Sequence, residues 1–375
     1  MRKAVLPQVQ ASQNDHAFAV CKSRIAFPRL KQTFFLFIAV ILCIASAGFT
    51  YLTVASTLFL TIAIILFAVC TGYIYQTIAS ALDKNNYPPP GRHVNINGHR
   101  LHIQVAGTGT PAVILEAGLC AFSSVWGWIH PEVAKFTQVI SYDRAGLGWS
   151  EPDDTPFSAL HVARQLHDLL QASGVKSPCV IVGHSMGGLL VRMFADQYPD
   201  EVAGMVLVDA SHPDQYSRNP AIRRYMNSGF KLLRKIPILT KLGYVRLTGC
   251  LNCQAEGLPA RQRAEAQVFL SSYSHFCTTL HESLAWEKIC AEVRCARNLG
   301  NKPLAVLSAG RDLLPGSLEL QGDLATLSSD STHHIVKGAT HVTLVSHREH
   351  ALSVVEAIRQ VVVKAKRQYS LRING

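Results

Sequence analysis

Cys179-Val180-Ile181-Val182-Gly183-His184-Ser185-Met186-Gly187 is the stretch that decides how this chain folds. Four residues of β character run into a serine with glycine two positions before and two after. This is the pattern of a nucleophile elbow, a sharp strand-to-helix turn that stands its serine clear of the backbone. The turn crowds the main chain, and glycines at 183 and 187 leave room for strand and helix to approach. Ser185 is therefore the candidate nucleophile. A Gly-x-Ser-x-Gly match is short, so the flanking sequence has to carry the assignment.

Working outward, apolar strand-like runs alternate with helical spacing. Residues 93–105 read as a hairpin about Asn97-Gly98, the strongest short hairpin signal. Residues 112–116, 138–142, 205–208, 303–307 and 334–336 read as further strands. Helical spacing covers 158–172, where Leu160, Val162, Leu166, Leu169 and Leu170 recur on one face, then 186–197 and 349–364. Such alternation implies a mostly parallel sheet flanked by helices. Between 211 and 301 the alternation stops and helix-like segments follow. The expected organisation is a core of 93–210 and 302–368, with 211–301 inserted after strand 6 as a helical lid. A lid there would cover the strand ends, where sites of open α/β sheets lie.

The first ninety residues are different in kind. Of 375 residues, 48% are hydrophobic and only 16% charged. The excess is concentrated between Lys31 and Asp83, where no Asp, Glu, Lys or Arg occurs. A spanning helix needs about 20 apolar residues. The segment 33–78 therefore suits two spans, a helical hairpin turning near Ser46–Gly48, with one long tilted helix as the other reading. The run starts too late and is too long for a signal peptide. Residues 1–32 carry Arg2, Lys3, Lys22, Arg24, Arg29 and Lys31 against Asp15 alone, which reads as a basic cytoplasmic flank. A hairpin would return the chain to the same side, so the remainder is expected to be cytoplasmic on a multi-pass anchor. Residues 79–92, ending in Pro88-Pro89-Pro90-Gly91, read as a Pro-rich linker. The net charge of +11 is scattered after residue 83 without interleaved aromatics, which argues against nucleic acid as a partner.

Two further stretches give the elbow its context: Leu115-Glu116-Ala117-Gly118-Leu119 and Ser141-Tyr142-Asp143-Arg144-Ala145-Gly146-Leu147-Gly148-Trp149-Ser150. With them, residues from about 93 to 365 resemble an α/β-hydrolase-fold serine hydrolase of the esterase/lipase-like class. The resemblance implies the chain order Ser, acid, His. His341, in Gly338-Ala339-Thr340-His341-Val342, then corresponds to the base, with His333, His334, His347 and His350 as rivals. Asp312, just past strand 303–307, is the expected acid. Asp209, at the end of strand 205–208, is the alternative, and Asp323 and Asp330 are remote ones. The backbone N–H groups of Leu119 and Met186 would form an oxyanion hole. Asp143 reads as scaffold, and His184 as a polar neighbour facing away from its adjacent serine.

Neither an organic cofactor nor a metal is implied. Cys250-x-x-Cys253 and Cys290-x4-Cys295 leave zinc, a disulfide or free thiols open, with free thiols favoured. A haloalkane dehalogenase or an epoxide hydrolase would need aspartate in place of Ser185. The expected activity is hydrolysis of a carboxylic ester, small or lipid-like, through an acyl-enzyme on Ser185. Acyl transfer, and thioester, amide or C–C cleavage, would use the same groups. A non-catalytic binding module of the same fold is the remaining reading. The sequence does not define the oligomeric state.

Overall fold

The computed structural model of the chain describes residues 26–374; the expected basic segment lies, up to residue 25, outside the described residues. Two units are distinguished, one ending at Val69 and one beginning at Cys70.

The first unit consists of α1, whose full extent, Ala26–Asn86, continues into the second. Its stretch Phe35–Asn86 is 52 residues long, with its large apolar side chains exposed up to Val69. At ~1.5 Å per residue this is about 78 Å of helix, against a bilayer core of about 30 Å. The helix is long and apolar enough to cross a membrane. It also corrects the expected hairpin, because it runs without a break through Ser46–Gly48. No proline lies between Pro28 and Pro88, and a lone glycine costs a helix only about 1 kcal/mol. Hydroxyls at and beyond this region bond back along the helix: Thr50 to the Ser46 carbonyl at 2.9 Å, and Thr57 to the Thr53 carbonyl at 2.9 Å. The cytoplasmic orientation rests on the hairpin's return and loses that support. The expected linker is likewise helical as far as Asn86, and the prolines follow it.

The second unit is built on one eight-stranded sheet. β1 (Arg92–Ile96) and β2 (His99–Ala106) are the expected hairpin, with Asn97 at φ 51° and Gly98 at φ 94° in its turn. β3 (Val113–Glu116), β4 (Val139–Tyr142), β5 (Cys179–His184), β6 (Val202–Val208), β7 (Leu304–Ala309) and β8 (Ser331–Val336) follow. The spatial order is β1-β2-β4-β3-β5-β6-β7-β8. β2 runs antiparallel to both its neighbours, and all other pairs are parallel. β5 thus sits in the interior of the sheet with β3 and β6 on either side.

The parallel strands β5, β6 and β7 are buried and largely apolar on both faces, as parallel strands covered by helices must be. Ile181 of β5 packs with α2 (Ala159–Ala172) and α3 (Met186–Gln197) through Leu166, Leu169 and Phe194. Its neighbours Val180 and Val182 point the other way, into a layer with the long C-terminal helix at Arg348–Asn374. The period of two in side-chain direction makes this division.

Between β6 and β7 lies the helical insertion. Its elements include α4 (Pro220–Leu233), α5 (Ile236–Lys241), α6 (Tyr244–Thr248), α7 (Ala260–Phe269), α8 (Tyr273–Leu284) and α9 (Trp286–Arg294). It has its own apolar cluster, in which Ile236, Val245, Leu258 and Phe276 pack with Phe122 and Leu147 of the core.

Phe194 is fully buried at the centre of the α3 layer. Phe194→Ala is expected to lower stability by about 3–5 kcal/mol, through lost transfer energy and the cavity left behind. Urea denaturation of the detergent-solubilised protein measures this.

Candidate active site

β5 delivers its chain into α3 through Ser185, which takes φ 54° and ψ −124°. A residue with a side chain held there stores about 1–3 kcal/mol of strain. The flanking glycines are spatial requirements. A Cβ on Gly183 would lie 2.6 Å from the Gly187 carbonyl oxygen, and one on Gly187 would lie 2.5 Å from the Glu116 carbonyl oxygen. Both are distances that real side chains do not reach, so the elbow closes only with glycine at these positions. Backbone bonds from Ser185 N–H to the Val208 carbonyl at 3.2 Å and from Ser211 N–H to the Ser185 carbonyl at 2.9 Å hold the turn against the end of β6. The Ser185 hydroxyl makes no hydrogen bond to another described residue.

Asp209 follows β6 directly, one strand from the elbow. Its Oδ2 lies 2.6 Å from His341 Nδ1, and its Oδ1 accepts the Ala309 N–H at 3.0 Å. Burial pushes the Asp209 carboxyl up, but the His341 hydrogen bond and charge, with the Ala309 N–H, hold it below the usual carboxylate range. An acceptor at Nδ1 makes that nitrogen a donor, so Asp209 selects the tautomer in which Nε2 is the free acceptor. The His341 side chain is 46% exposed, so this ring can be reached.

Asp312 is the correction. Its side chain is 65% exposed and its ionic neighbour is Arg311; it makes no hydrogen bond with His341. After β7 the N–H groups of Gly310 and Arg311 both donate to the Ala339 carbonyl, at 3.0 and 2.9 Å. Gly310 is pressed against the Val336 carbonyl. The chain is turned onto the end of β8 before Asp312 is reached. Five of the other rivals are engaged elsewhere: His333 with Ser308, His347 with Ser346, His350 with Thr343, Asp323 with Arg218 and Asp330 with Lys364.

His184 has a clearer place than its neighbour role suggested. Its Nε2 lies 3.0 Å from the His341 carbonyl, and the two rings are 4.7 Å apart between centres. Burial and the nearby His341 push its pKa down to about 3. It is therefore neutral at physiological pH, donates through Nε2, and supports the backbone that carries His341.

On the other side of Ser185 runs the loop after β3. A Cβ on Gly118 would lie 3.0 Å from Ser185 Cβ, so Leu119 adjoins the serine. This loop is set by a group that the sequence left without a role. The buried Arg144 uses all five of its N–H groups. Nε and Nη2 donate to Glu282 at 2.7 and 3.1 Å, Nη1 to Glu116 and the Ala117 carbonyl, both at 2.6 Å, and Nη2 to the Gly118 carbonyl at 2.8 Å. Tyr142 donates its hydroxyl to the same Glu116. Burial opposes the charge on Arg144, but Glu282 and Glu116 hold it protonated.

A trans peptide sets its N–H opposite its C=O. With the Gly118 carbonyl drawn to Arg144, the Leu119 N–H points away from that cluster. Neither it nor the Met186 N–H donates to a described residue. Glu116 and Arg144 could have been noticed as charges ending apolar strands. Glu282 gave no signal, because it comes from α8, 138 residues beyond Arg144.

Asp143 is bound up in scaffold contacts: it accepts from His102 at 2.9 Å, the Ser123 N–H at 2.7 Å and the Trp149 N–H at 3.0 Å. The described cysteines are free thiols, and no cluster of three metal-ligating side chains occurs among the described residues. Burial pushes the thiol of Cys120, beside the loop, up to about 11, which keeps it protonated.

The alpha/beta hydrolase fold family matches residues 111–238. An uncharacterized protein of Mycobacterium tuberculosis is 33% identical over 123 residues, which is 33% of this chain and 36% of that protein. The curated relatives are matched over 19% to 47% of their own lengths. Among solved structures, an epoxide hydrolase from Bacillus megaterium superposes with a TM-score of 0.58 at 16% identity, covering 72% of this chain and 99% of its own. A thermophilic esterase from Thermogutta terrifontis gives 0.54 at 20%, covering 73% and 99%.

Removing Arg144 would strand two buried carboxylates. Arg144→Met is expected to destabilise the protein by about 3–5 kcal/mol, the cost of breaking a buried pair from one side. Equilibrium urea unfolding in detergent checks it.

Proposed function

We propose that this chain, which has the α/β-hydrolase fold, is a membrane-anchored serine hydrolase that cleaves carboxylic esters. The observation that carries the reading is the 2.6 Å Asp209–His341 hydrogen bond beside a serine in strained elbow geometry. Ser185 Oγ adds to the ester carbonyl carbon while His341 Nε2 takes its proton. The charge that develops on the carbonyl oxygen is met by the Leu119 and Met186 N–H groups, the second at the N-terminus of α3, where the helix dipole adds to it. The imidazolium then gives its proton to the departing alcohol. Water, deprotonated by the same His341, adds to the acyl-enzyme and releases the acid. Asp209 holds the ring in the required tautomer and offsets its positive charge in each half-reaction.

Several solved neighbours are epoxide hydrolases, but the residue at the elbow favours carbonyl chemistry. A serine oxygen that opened an epoxide would be left as an ether, which water does not cleave. A serine acylated by an ester carries a new ester, which water does. Turnover on Ser185 therefore calls for an acyl donor. The insertion at 211–301 acts as the lid over this site and selects the substrate. α1 supplies the anchor, which would bring the site close to esters held in or near a bilayer.

A fluorophosphonate probe is expected to label the protein and to leave Ser185→Ala unlabelled; equal labelling of both would remove Ser185 as the nucleophile. On a short p-nitrophenyl ester, Asp209→Asn is expected to lower kcat by about 10⁴-fold, the size seen when a triad loses the acid that sets its tautomer. Asp312→Asn should leave kcat within about twofold, as an exposed surface change does. The reverse order would restore Asp312 as the acid.

A further inference from the structure

The insertion has a charge pattern that catalysis does not use. From Gln215 to Ala255 it holds eight Lys and Arg residues and no Asp or Glu. Lys231, Arg234, Lys235 and Lys241 are exposed, and none of the four pairs with a carboxylate among the described residues. The same stretch exposes large apolar side chains that a water-facing helix would bury: Ile238 is 64% exposed and Leu247 66%, with Tyr244 between them in sequence.

Residues 70–86, the last turns of α1, pack directly on this part of the insertion. A Cβ on Gly72 would lie 2.3 Å from the Leu242 carbonyl oxygen, and one on Gly243 would lie 2.8 Å from that of Gly72. The two backbones therefore touch. Gln76 donates to the Ser271 carbonyl at 2.7 Å, and Arg246 reaches Gln76 at 3.1 Å and Asp83 at 2.6 Å. These contacts use one face of the helix. The stripe Ile74, Ile78 and Leu82, about 200° away around the helix, is left exposed.

At the seam lies a cavity of about 410 Å³ lined by Tyr73, Thr77, Lys84, Lys241 and Tyr273 among others. Lys241 Nζ sits 4.9 Å from the centre of the Tyr273 ring. Tyrosine with lysine at the end of an apolar helix is the composition of a membrane–water boundary, where the ring meets the hydrocarbon edge and the polar tip stays wet.

We propose that the α5–α6 face of the insertion, with residues 70–86 of α1 against it, lies on the headgroup layer of the bilayer and is held there by anionic phospholipids. The partner is identified by charge and position together. Lys235 and Lys241, at the two ends of α5 and without a carboxylate partner among the described residues, call for an anionic surface. The exposed Ile238 and Leu247 call for one with an apolar interior, and residues 70–86 continue the apolar run in sequence. The inference rests on the membrane anchor of the proposed function and adds a second contact to it. Since α5 also packs on α8, the helix that carries Glu282, the docked face is one helix removed from the loop beside Ser185.

The test is hydrogen–deuterium exchange on the full-length protein in nanodiscs of phosphatidylcholine alone or mixed with phosphatidylglycerol. Peptides covering 236–248 are expected to exchange several-fold more slowly in the anionic discs. High salt should remove the difference, because it screens surface charge. Lys235→Glu/Lys241→Glu should remove it too, with exchange in β5 and β6 unchanged to show that the variant is folded. Equal exchange of 236–248 in both discs, with the chain retained on them, overturns the docking. Release of the chain from vesicles by alkaline carbonate overturns the anchor instead, and the two results are read independently.

Discussion

The five hydrogen bonds of Arg144 join three parts of the chain at one buried point. They tie the end of β3 through Glu116, the loop beside Ser185 through the Ala117 and Gly118 carbonyls, and the insertion through Glu282. A guanidinium is planar and its donors are fixed in direction, so satisfying all five leaves little freedom in any partner. Two carboxylates around one cation are costly to bury. Burial pushes both Glu116 and Glu282 up, and Arg144 pulls each back. The return on that cost is orientation, because with the Gly118 carbonyl committed to Arg144 the next N–H has to face the other way.

The proposed catalytic groups depend on the sheet in a similar manner. β5 and β6 are adjacent and parallel, so the residues that leave their carboxyl ends emerge side by side. Ser185 and Asp209 are those residues, and both take positive φ as the chain turns. His341 arrives from the far side of the sheet, after β8, and is brought in by Asp209 and by the buried His184. The elbow glycines permit the close approach, the Asp209 hydrogen bond decides which way the His341 ring faces, and His184 holds the backbone that carries it.

Much of this was legible in the residues. The alternation of runs predicts the sheet and its flanking helices, the Asn97-Gly98 turn marks the first hairpin, and the break at 211–301 marks the insertion. Ser185 and its glycines are local features, so the chain states them directly. Asp312 and Asp209 could not be separated in the same way, because both follow a strand and both precede His341. Their difference lies in what the backbone does next: Gly310 and Arg311 bind the Ala339 carbonyl and carry Asp312 outward. The turn read at Ser46–Gly48 failed for a related reason. Serine and threonine mark turns when their hydroxyls compete for the backbone, yet in an apolar helix they bond to the preceding turn and leave it intact.

By itself, then, the sequence determined the features on which the proposed chemistry rests: a serine at a glycine-flanked elbow, a histidine after the last strand, and an apolar segment long enough for a membrane. Those depend on short-range patterns, in which spacing and steric demand are properties of neighbouring residues. Only the tertiary structure decided which aspartate hydrogen-bonds the histidine, that Arg144 and Glu282 meet, and that the end of α1 rests on the insertion. Each of these pairs residues far apart in the chain, and their meeting is set by strand order and backbone direction rather than by anything either residue carries.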